Sequence, residues 1–448
     1  MATTYLNNTF SSPTNNYKWT LSVWVKKSKL GANQYIFQTY PSGQGYSRLY
    51  FDNTDKIQFD GEDTSQGNAF NLKTTRRFRD INAWYHIVLK WDVTQGTASN
   101  RVKIYVNGVE EGNYGTETYP AQNTTYPINR DKAHYIGRHS TDTNTYFEGL
   151  MSHIYFTDGY SYDASTFGST DSTTGEWKIN TSPSITMGTN GFTILKDGIT
   201  ITDQSSNSND WTLAGGTLTK TEDCPSNVFN TYSNEYLRCN GTLSNANTTM
   251  AQSGSSWKMS FSNLGASSGK YYWETKYSGT YLKVGFVTDI GSVLNSSNNN
   301  YEHHADHEYG WAAYISGGNL EMRNDAAVIS GYSTSDLSTS FSSGDILCLA
   351  LDIDNGRFHF RKNDGSWLKS GDPVNNSGGL TIPFSDAKGN VAIPAISAYT
   401  ATGNTNFGNG YFGTTAVSSA GTNASGNGIF EYDVPTGYTA WSTKGLNL

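Results

Sequence analysis

Apolar and polar residues alternate with period two along much of this chain, and that pattern predicts strands. In KWTLSVWVKK, Trp19, Leu21, Val23 and Val25 fall on one face and Thr20, Ser22 and Trp24 on the other, as in a half-buried strand. WYHIVLKWD sets Tyr85, Ile87, Leu89 and Trp91 against His86, Val88 and Lys90, and RVKIYVNGV lines up Val102, Ile104 and Val106. Asn107-Gly108 after it is a strong hairpin signal, because both residues tolerate positive φ. Trp84 and Trp91 lie on opposite faces of their strand, so a second sheet or loop is needed if both are to be covered.

Further strands are readable at HYIGR, FEGLMSHIYFTDG and GFTILKDGITI, at the intervals typical of sandwiches, so a first unit is expected over residues 1–200. Residues 201–265 lose the periodicity and predict a linker with short strands. A second strand-rich unit is expected over 266–448, from KYYWETKYSGTYLKVGFVTD through YGWAAYI to the hairpin ILCLALDIDNGRFHF, with Asn355-Gly356 at its turn. The chain is therefore expected to be all-β, two antiparallel β-sandwiches joined by an irregular linker, with few helices.

Composition agrees with that picture. Of 448 residues only 16% are charged and 35% hydrophobic, yet 30 Tyr, 20 Phe and 11 Trp supply large buried area per residue, so an aromatic-rich core is expected. The net charge of -8 has no basic run to offset it, which argues against nucleic acid or an anionic membrane surface as partner. The opening MATTYLNNTF has neither a charged nor an apolar segment of a leader, and no stretch reaches the ~20 apolar residues of a membrane span. Cys224, Cys239 and Cys348 lack C-x-x-C spacing, and the odd count favours reduced thiols.

The segments YLNNTF, WTLSVWVK, FRDINAWYHIVLKWD, NRVKIYVNG, HYIGRHS, YFEGLMSHIYFTDG and FGSTDSTTGEWK resemble the laminin-G-like, concanavalin A-like sandwiches of bacteriophage virion proteins. NGFTI and SNSNDWT, then SSGKYYWE, VGFV, YGWAAY, DILCLALDIDNGRFHF and FEYDVPTGYTAW, resemble the linker and SPRY-like sandwich that follow in the same family. The resemblance implies a virion component made in the host bacterial cytoplasm, a peripheral appendage or tail-fibre-type adhesin that binds a host surface glycan or protein. It also implies contact with other virion proteins, and appendage symmetry suggests a homotrimer. The alternative is a head decoration or head-appendage protein whose partners are mainly other virion proteins. No helical stalk or baseplate-attachment region is recognisable.

Candidate chemistry is sparse. Exposed rings stack on the apolar face of a pyranose, so loop tyrosines are the candidates for glycan binding: Tyr40, Tyr46, Tyr114, Tyr119, Tyr126, Tyr160 and Tyr162 in the first unit, Tyr301 and Tyr332 in the second. Tyrosines also plug sandwich edges, which is the plainer role for any one of them. In EHHADHE, His303 and His307 would share a helix face and could hold a metal with His304, Asp306 or Glu308, although a solvated loop between strands is the plainer reading of the segment. Laminin-G-like sandwiches can hold calcium at a rim, where Asp158 and Asp163 in FTDGYSYDAS could contribute; no other cofactor is expected. No strand carries the alternating carboxylates of a glycan depolymerase, Asp52, Asp55, Asp60, Glu62 and Asp63 falling in a turn-rich stretch, and no nucleophile elbow or phosphate-binding loop is present. Binding without catalysis is the expectation.

Overall fold

The computed structural model describes residues 3–64, 67–142, 145–236, 239–295, 303–384 and 389–447. The chain divides into two compact units, Met1–Lys220 and Thr221–Leu448. Both are built almost wholly of antiparallel strands. Among the described residues no helix is long and apolar enough to cross a membrane.

The strands of the first unit are β1 (Tyr5–Thr9), β2 (Lys18–Lys27), β3 (Gln34–Thr39), β4 (Tyr46–Phe51), β5 (Ile57–Asp63), β6 (Asn68–Thr74), β7 (Trp84–Asp92) and β8 (Val102–Val106). They continue with β9 (Val109–Glu110), β10 (Tyr114–Thr118), β11 (Ala133–Ile136), β12 (Gly149–Asp158), β13 (Gly168–Thr170), β14 (Trp177–Ile179), β15 (Phe192–Ile194) and β16 (Thr212–Gly215). An eight-stranded sheet, β10-β6-β5-β4-β3-β11-β1-β16, packs on a six-stranded one, β15-β12-β2-β7-β8-β9. The alternation explains the layering: Trp19, Leu21, Val23, Ile87, Leu89, Trp91 and Ile104 of one sheet meet Phe37, Leu49, Phe51, Phe59 and Leu72 of the other in a single core. Trp19 and Trp91 stack there with ring centres 5.2 Å apart. Trp84 is buried too. Asn107 and Gly108, both at positive φ, make the expected tight hairpin between Val106 and Val109.

A buried ion pair and a buried aspartate pin this sandwich. Lys27 on β2 reaches across to Asp55, between β4 and β5, with Nζ 2.9 Å from Oδ1, both side chains almost wholly buried. Asp158, at the end of β12, accepts from the backbone N–H of Thr14, Asn15 and Asn190 and from the Asn129 amide.

The second unit contains β17 (Tyr232–Ser233), β18 (Thr242–Ser244), β19 (Thr249–Gln252), β20 (Lys258–Ser262), β21 (Lys270–Val287), β22 (Gly310–Ser316), β23 (Asn319–Asn324) and β24 (Ala327–Val328). After these come β25 (Ile346–Asp352), β26 (Arg357–Lys362), β27 (Leu380–Thr381) and β28 (Ile393–Asn406). The long strands β21 and β28 pair with each other from Glu274 to Val287 and form its spine. Their ladder skips at Thr280 and Thr400, where Gly279 and Thr400 have positive φ. Before that point β21 takes β25 as its other neighbour, and after it β22, so one strand serves both halves of the sandwich. Only glycine suits position 279, because a Cβ there would sit 2.5 Å from Ala401 Cα. Glu274 of β21 is fully buried and accepts from the Tyr272 hydroxyl and from the backbone N–H of Glu431 and Tyr432, each at 2.9 Å. Burial outweighs these donors and pushes its carboxyl up to about 7.

The structure corrects three expectations. Residues 201–265 do not form a separate linker: β16 joins the first unit's sheet beside β1, while β17, β19 and β20 belong to the second unit's sheet. The Asn355-Gly356 hairpin is closed by Asp352 opposite Arg357, so its loop has four residues, and only Gly356 has positive φ. His303 and His307 do not share a helix face, because the segment between them is a 3-10 turn over His304–Asp306 with extended backbone at both ends.

Candidate functional site

The sheet face of the first unit that points away from the core carries an unusual set of side chains. In the row that crosses β1, β11, β3, β4, β5 and β6, Asn7, Tyr135, Gln38, Arg48, Asp60 and Asn71 stand opposite one another. The next row pairs Tyr35 with Tyr50, rings stacked 4.8 Å apart, and Tyr50 with Gln58. Tyr35 and Gln38 share this face although three residues apart, because the ladder slips between Tyr35 and Phe37 and the inserted residue, Ile36, turns into the core.

Tyr40, just beyond β3, and Tyr46, the first residue of β4, meet across the hairpin with ring centres 5.8 Å apart and nearly parallel planes. Gly45 makes this approach feasible: its φ is +89°, and a Cβ would fall 1.9 Å from the Glu62 carbonyl oxygen. Tyr40 is 43% exposed, and the Arg48 guanidinium lies over Tyr46 at 4.4 Å and Tyr50 at 5.4 Å. Arg48 grips Asp60 bidentately, Nε to Oδ1 and Nη2 to Oδ2, both 2.9 Å. Burial opposes the guanidinium charge, but the hydrogen bonds and charge of Asp60 prevail and hold Arg48 above the ordinary arginine value. Burial raises the Asp60 carboxyl against the pull of Arg48, and it raises the Tyr35, Tyr46 and Tyr50 phenols. The rings therefore present O–H groups at neutral pH.

His139 closes one side of the cluster, edge-on to Tyr35 at 4.7 Å and 6.3 Å from Tyr40. Its Nδ1 accepts from the Asp142 N–H at 3.0 Å, and burial, then Arg48, lowers its pKa, so the ring is neutral. Gln38, fully buried in the row beside Arg48, has neither amide atom hydrogen-bonded among the described residues. A buried amide in that state costs about 1–3 kcal/mol and marks a place where polar partners are missing.

The other predicted tyrosines are dispersed. Tyr114 and Tyr119 pack against the first core, the Tyr119 hydroxyl donating to Glu117, and Tyr126 is inside that core. Tyr160 and Tyr162 lie against the outer side of the six-stranded sheet, through Thr20 of β2. Tyr332 donates to the Gly379 carbonyl beside the second core, and Tyr301 lies outside the described residues. Of the candidate metal ligands, Asp158 is saturated by the donors named above, and Asp163 pairs with Lys90 at 2.7 Å and accepts from Tyr105 at 2.8 Å. His303 pairs with Asp306 at 2.7 Å, and His307 stacks on Tyr309. Among the described residues no three or more His, Cys, Asp or Glu gather as a metal group.

One pair resembles a nucleophile and its base. Ser22 Oγ lies 2.8 Å from His86 Nε2 on the outer side of the six-stranded sheet. The Trp177 indole N–H donates to His86 Nδ1 at 2.9 Å, and burial lowers the histidine to about 3. An indole can only donate, so Nδ1 carries the lone pair and the proton resides on Nε2, pointing at Ser22. In that tautomer His86 cannot accept the serine proton.

The strands and cores thus define an all-β protein of two units, each built of antiparallel sheets around its own core. Residues 2–161 match the laminin-G family described as the concanavalin A-like lectin/glucanases superfamily. No curated protein matches the chain. Among solved structures it is similar to the SPRY domain of human HERC1, at 16% identity over 39% of this chain and 96% of that one, with a TM-score of 0.27. It is also similar to domains LG4-5 of the mouse laminin alpha1 chain, at 8% identity over 88% and 78%, TM-score 0.29. A third is domain 4 of AbnA, a GH43 extracellular arabinanase from Geobacillus stearothermophilus in complex with arabinotriose, at 17% identity over 33% and 64%, TM-score 0.26.

Proposed function

We propose that the chain is a non-catalytic binding protein whose first unit holds a glycan on the outer face of the eight-stranded sheet. The observation that carries this reading is the half-exposed Tyr40 ring stacked on Tyr46 beside a fixed Arg48–Asp60 pair. A pyranose needs an apolar platform for its C–H face and a few rigid polar groups for its hydroxyls, and both are present within one hairpin and its neighbours. The match of this unit to a lectin superfamily supports the same reading. The setting we infer, a peripheral virion appendage that attaches to a host surface as a trimer in concert with other virion proteins, rests on the resemblance of the sequence to phage proteins.

The test is binding of the purified full chain to host cells and isolated surface polysaccharide. Tyr40→Ala is expected to weaken binding roughly tenfold, since a stacked ring contributes about 1–1.5 kcal/mol. Unchanged affinity in Tyr40→Ala would remove the Tyr40–Tyr46 face from the reading. New reducing ends in the polysaccharide would reveal depolymerase activity instead.

A further inference from the structure

The charge pattern of the same face narrows the class of saccharide it takes. Three cations stand on it or at its margin, and each is already committed. Arg48 is held bidentately by Asp60, and Lys73 is ion-paired to Asp52. Arg138 gives Nε to the His139 carbonyl at 2.8 Å and Nη2 to the Ser140 carbonyl at 3.1 Å, with its guanidinium 4.3 Å over the Tyr5 ring. Asp52, Asp60, Glu62, which stands opposite Tyr46, and Asp142 beside His139 outnumber the three cations, and His139 is neutral.

A carboxylate or sulfate on a ligand meets that excess of carboxylates, and pairing fully with Arg48 would draw it away from Asp60. The Asp60 side chain is only 6% exposed, so it would remain as a buried, uncompensated charge, the costliest outcome for such a pair. An uncharged sugar meets no such barrier. Asp60 takes two of the five N–H donors of Arg48, and the hydroxyl of the exposed Tyr40 can both give and accept. Adjacent hydroxyls of a hexose offer that combination.

We infer that the Tyr40–Tyr46 face selects uncharged hexose chains over acidic ones and that its binding is insensitive to salt; this rests on the face being the glycan site. Asp60 is then the specificity-determining residue, acting by keeping Arg48 occupied.

The full chain is titrated by biolayer interferometry against immobilised neutral glucan and mannan and against a polyuronate and a sulfated glucan. The expected result is binding to a neutral chain, weakened by Tyr40→Ala and changing less than about twofold between about 50 and 500 mM NaCl. Asp60→Asn, checked for native near-ultraviolet circular dichroism, frees the guanidinium and is expected to gain affinity for the acidic chains roughly fivefold or more, in a salt-sensitive manner. Tyr40-dependent binding of the wild-type chain to the acidic polymers, falling tenfold over the same salt range, overturns the inference while preserving the glycan reading. Absence of binding to all four polymers overturns both. Should Asp60→Asn fail to fold, the wild-type preference and salt dependence decide the matter.

Discussion

Asp55 offers the sharpest test of how the site-bearing sheet is held. Its carboxylate accepts from Lys27 Nζ at 2.9 Å, the Gly31 N–H at 3.0 Å and Arg79 Nε at 3.1 Å. Lys27 is fully buried, with the Phe78 carbonyl at 3.2 Å and the Phe51 ring at 4.6 Å as its other close partners, whereas Arg79 is 56% exposed on its side chain. Asp55→Asn keeps the shape and tolerates the positive φ of this position, yet strands the Lys27 charge. Breaking a buried pair in this way costs about 3–5 kcal/mol. The upper bound follows independently: Lys27 can escape by losing its proton, and at pH 7 that costs an ordinary lysine about 5 kcal/mol. Lys27→Met is expected to cost less, because Arg79 and Gly31 stay on Asp55, and the double variant is expected to recover roughly 2 kcal/mol or more relative to the sum of the two. Burial already lowers the Lys27 pKa in the native protein, and losing Asp55 lowers it further. With a folded pKa below the unfolded value, the deficit of Asp55→Asn is complete below the folded pKa and shrinks as pH rises toward 10.5. Hydrogen exchange in graded urea, followed on peptides from β2 and β7, reports the first unit without interference from the second. A cost below about 1 kcal/mol, or one no larger than that of Lys27→Met, would refute the argument that the pair is desolvated and interdependent.

Two further outcomes follow from buried titratable groups. Trp177→Phe removes the donor from His86 Nδ1, so imidazole nitrogen chemical shifts are expected to change from a single Nε2–H tautomer to a mixture; retention of one tautomer would show that Ser22 alone orients the ring. Glu274, whose carboxyl moves from 4.5 to about 7 on folding, is expected to cost the second unit roughly 3 kcal/mol of stability as pH rises from about 4.5 to about 7. Denaturant melts at pH 5 and 8 check this, and Glu274→Gln should flatten the difference; an equal slope in that variant would assign it to other groups.

The strands were legible where both partners of a ladder carry their own alternation. Trp19, Leu21, Val23 and Val25 pair along their length with β7, and each strand shows the period on its own. Residues 201–265 were not legible because their strands have two to five residues and are fixed by distant partners: β16 by β1, β19 by β28. At that length tertiary pairing rather than local pattern decides the structure. Tyr40 and Tyr46 stood out as loop aromatics, but Tyr35, Arg48, Tyr50 and Asp60 read as ordinary strand residues. Their common face depends on the slip in β3 and on β11 lying between β1 and β3, and neither leaves a mark on hydrophobic periodicity. The one available signal was the outward phase itself, Arg48 and Tyr50 on β4 opposite Gln58 and Asp60 on β5, an unusually aromatic and charged set for the solvent side of a sheet.

The spine of β21 and β28 ties the two halves of the second unit together mechanically. Because β21 and β28 run without interruption through both halves of the second sandwich, a pull that peels β25 from β21 loads the ladder held by β22 as well. Neither half can open like the cover of a book while the other stays shut. A domain under mechanical load profits from such a joint: the unit yields all at once or not at all, and sub-critical strain leaves no half-opened sheet edge on which other chains could zip.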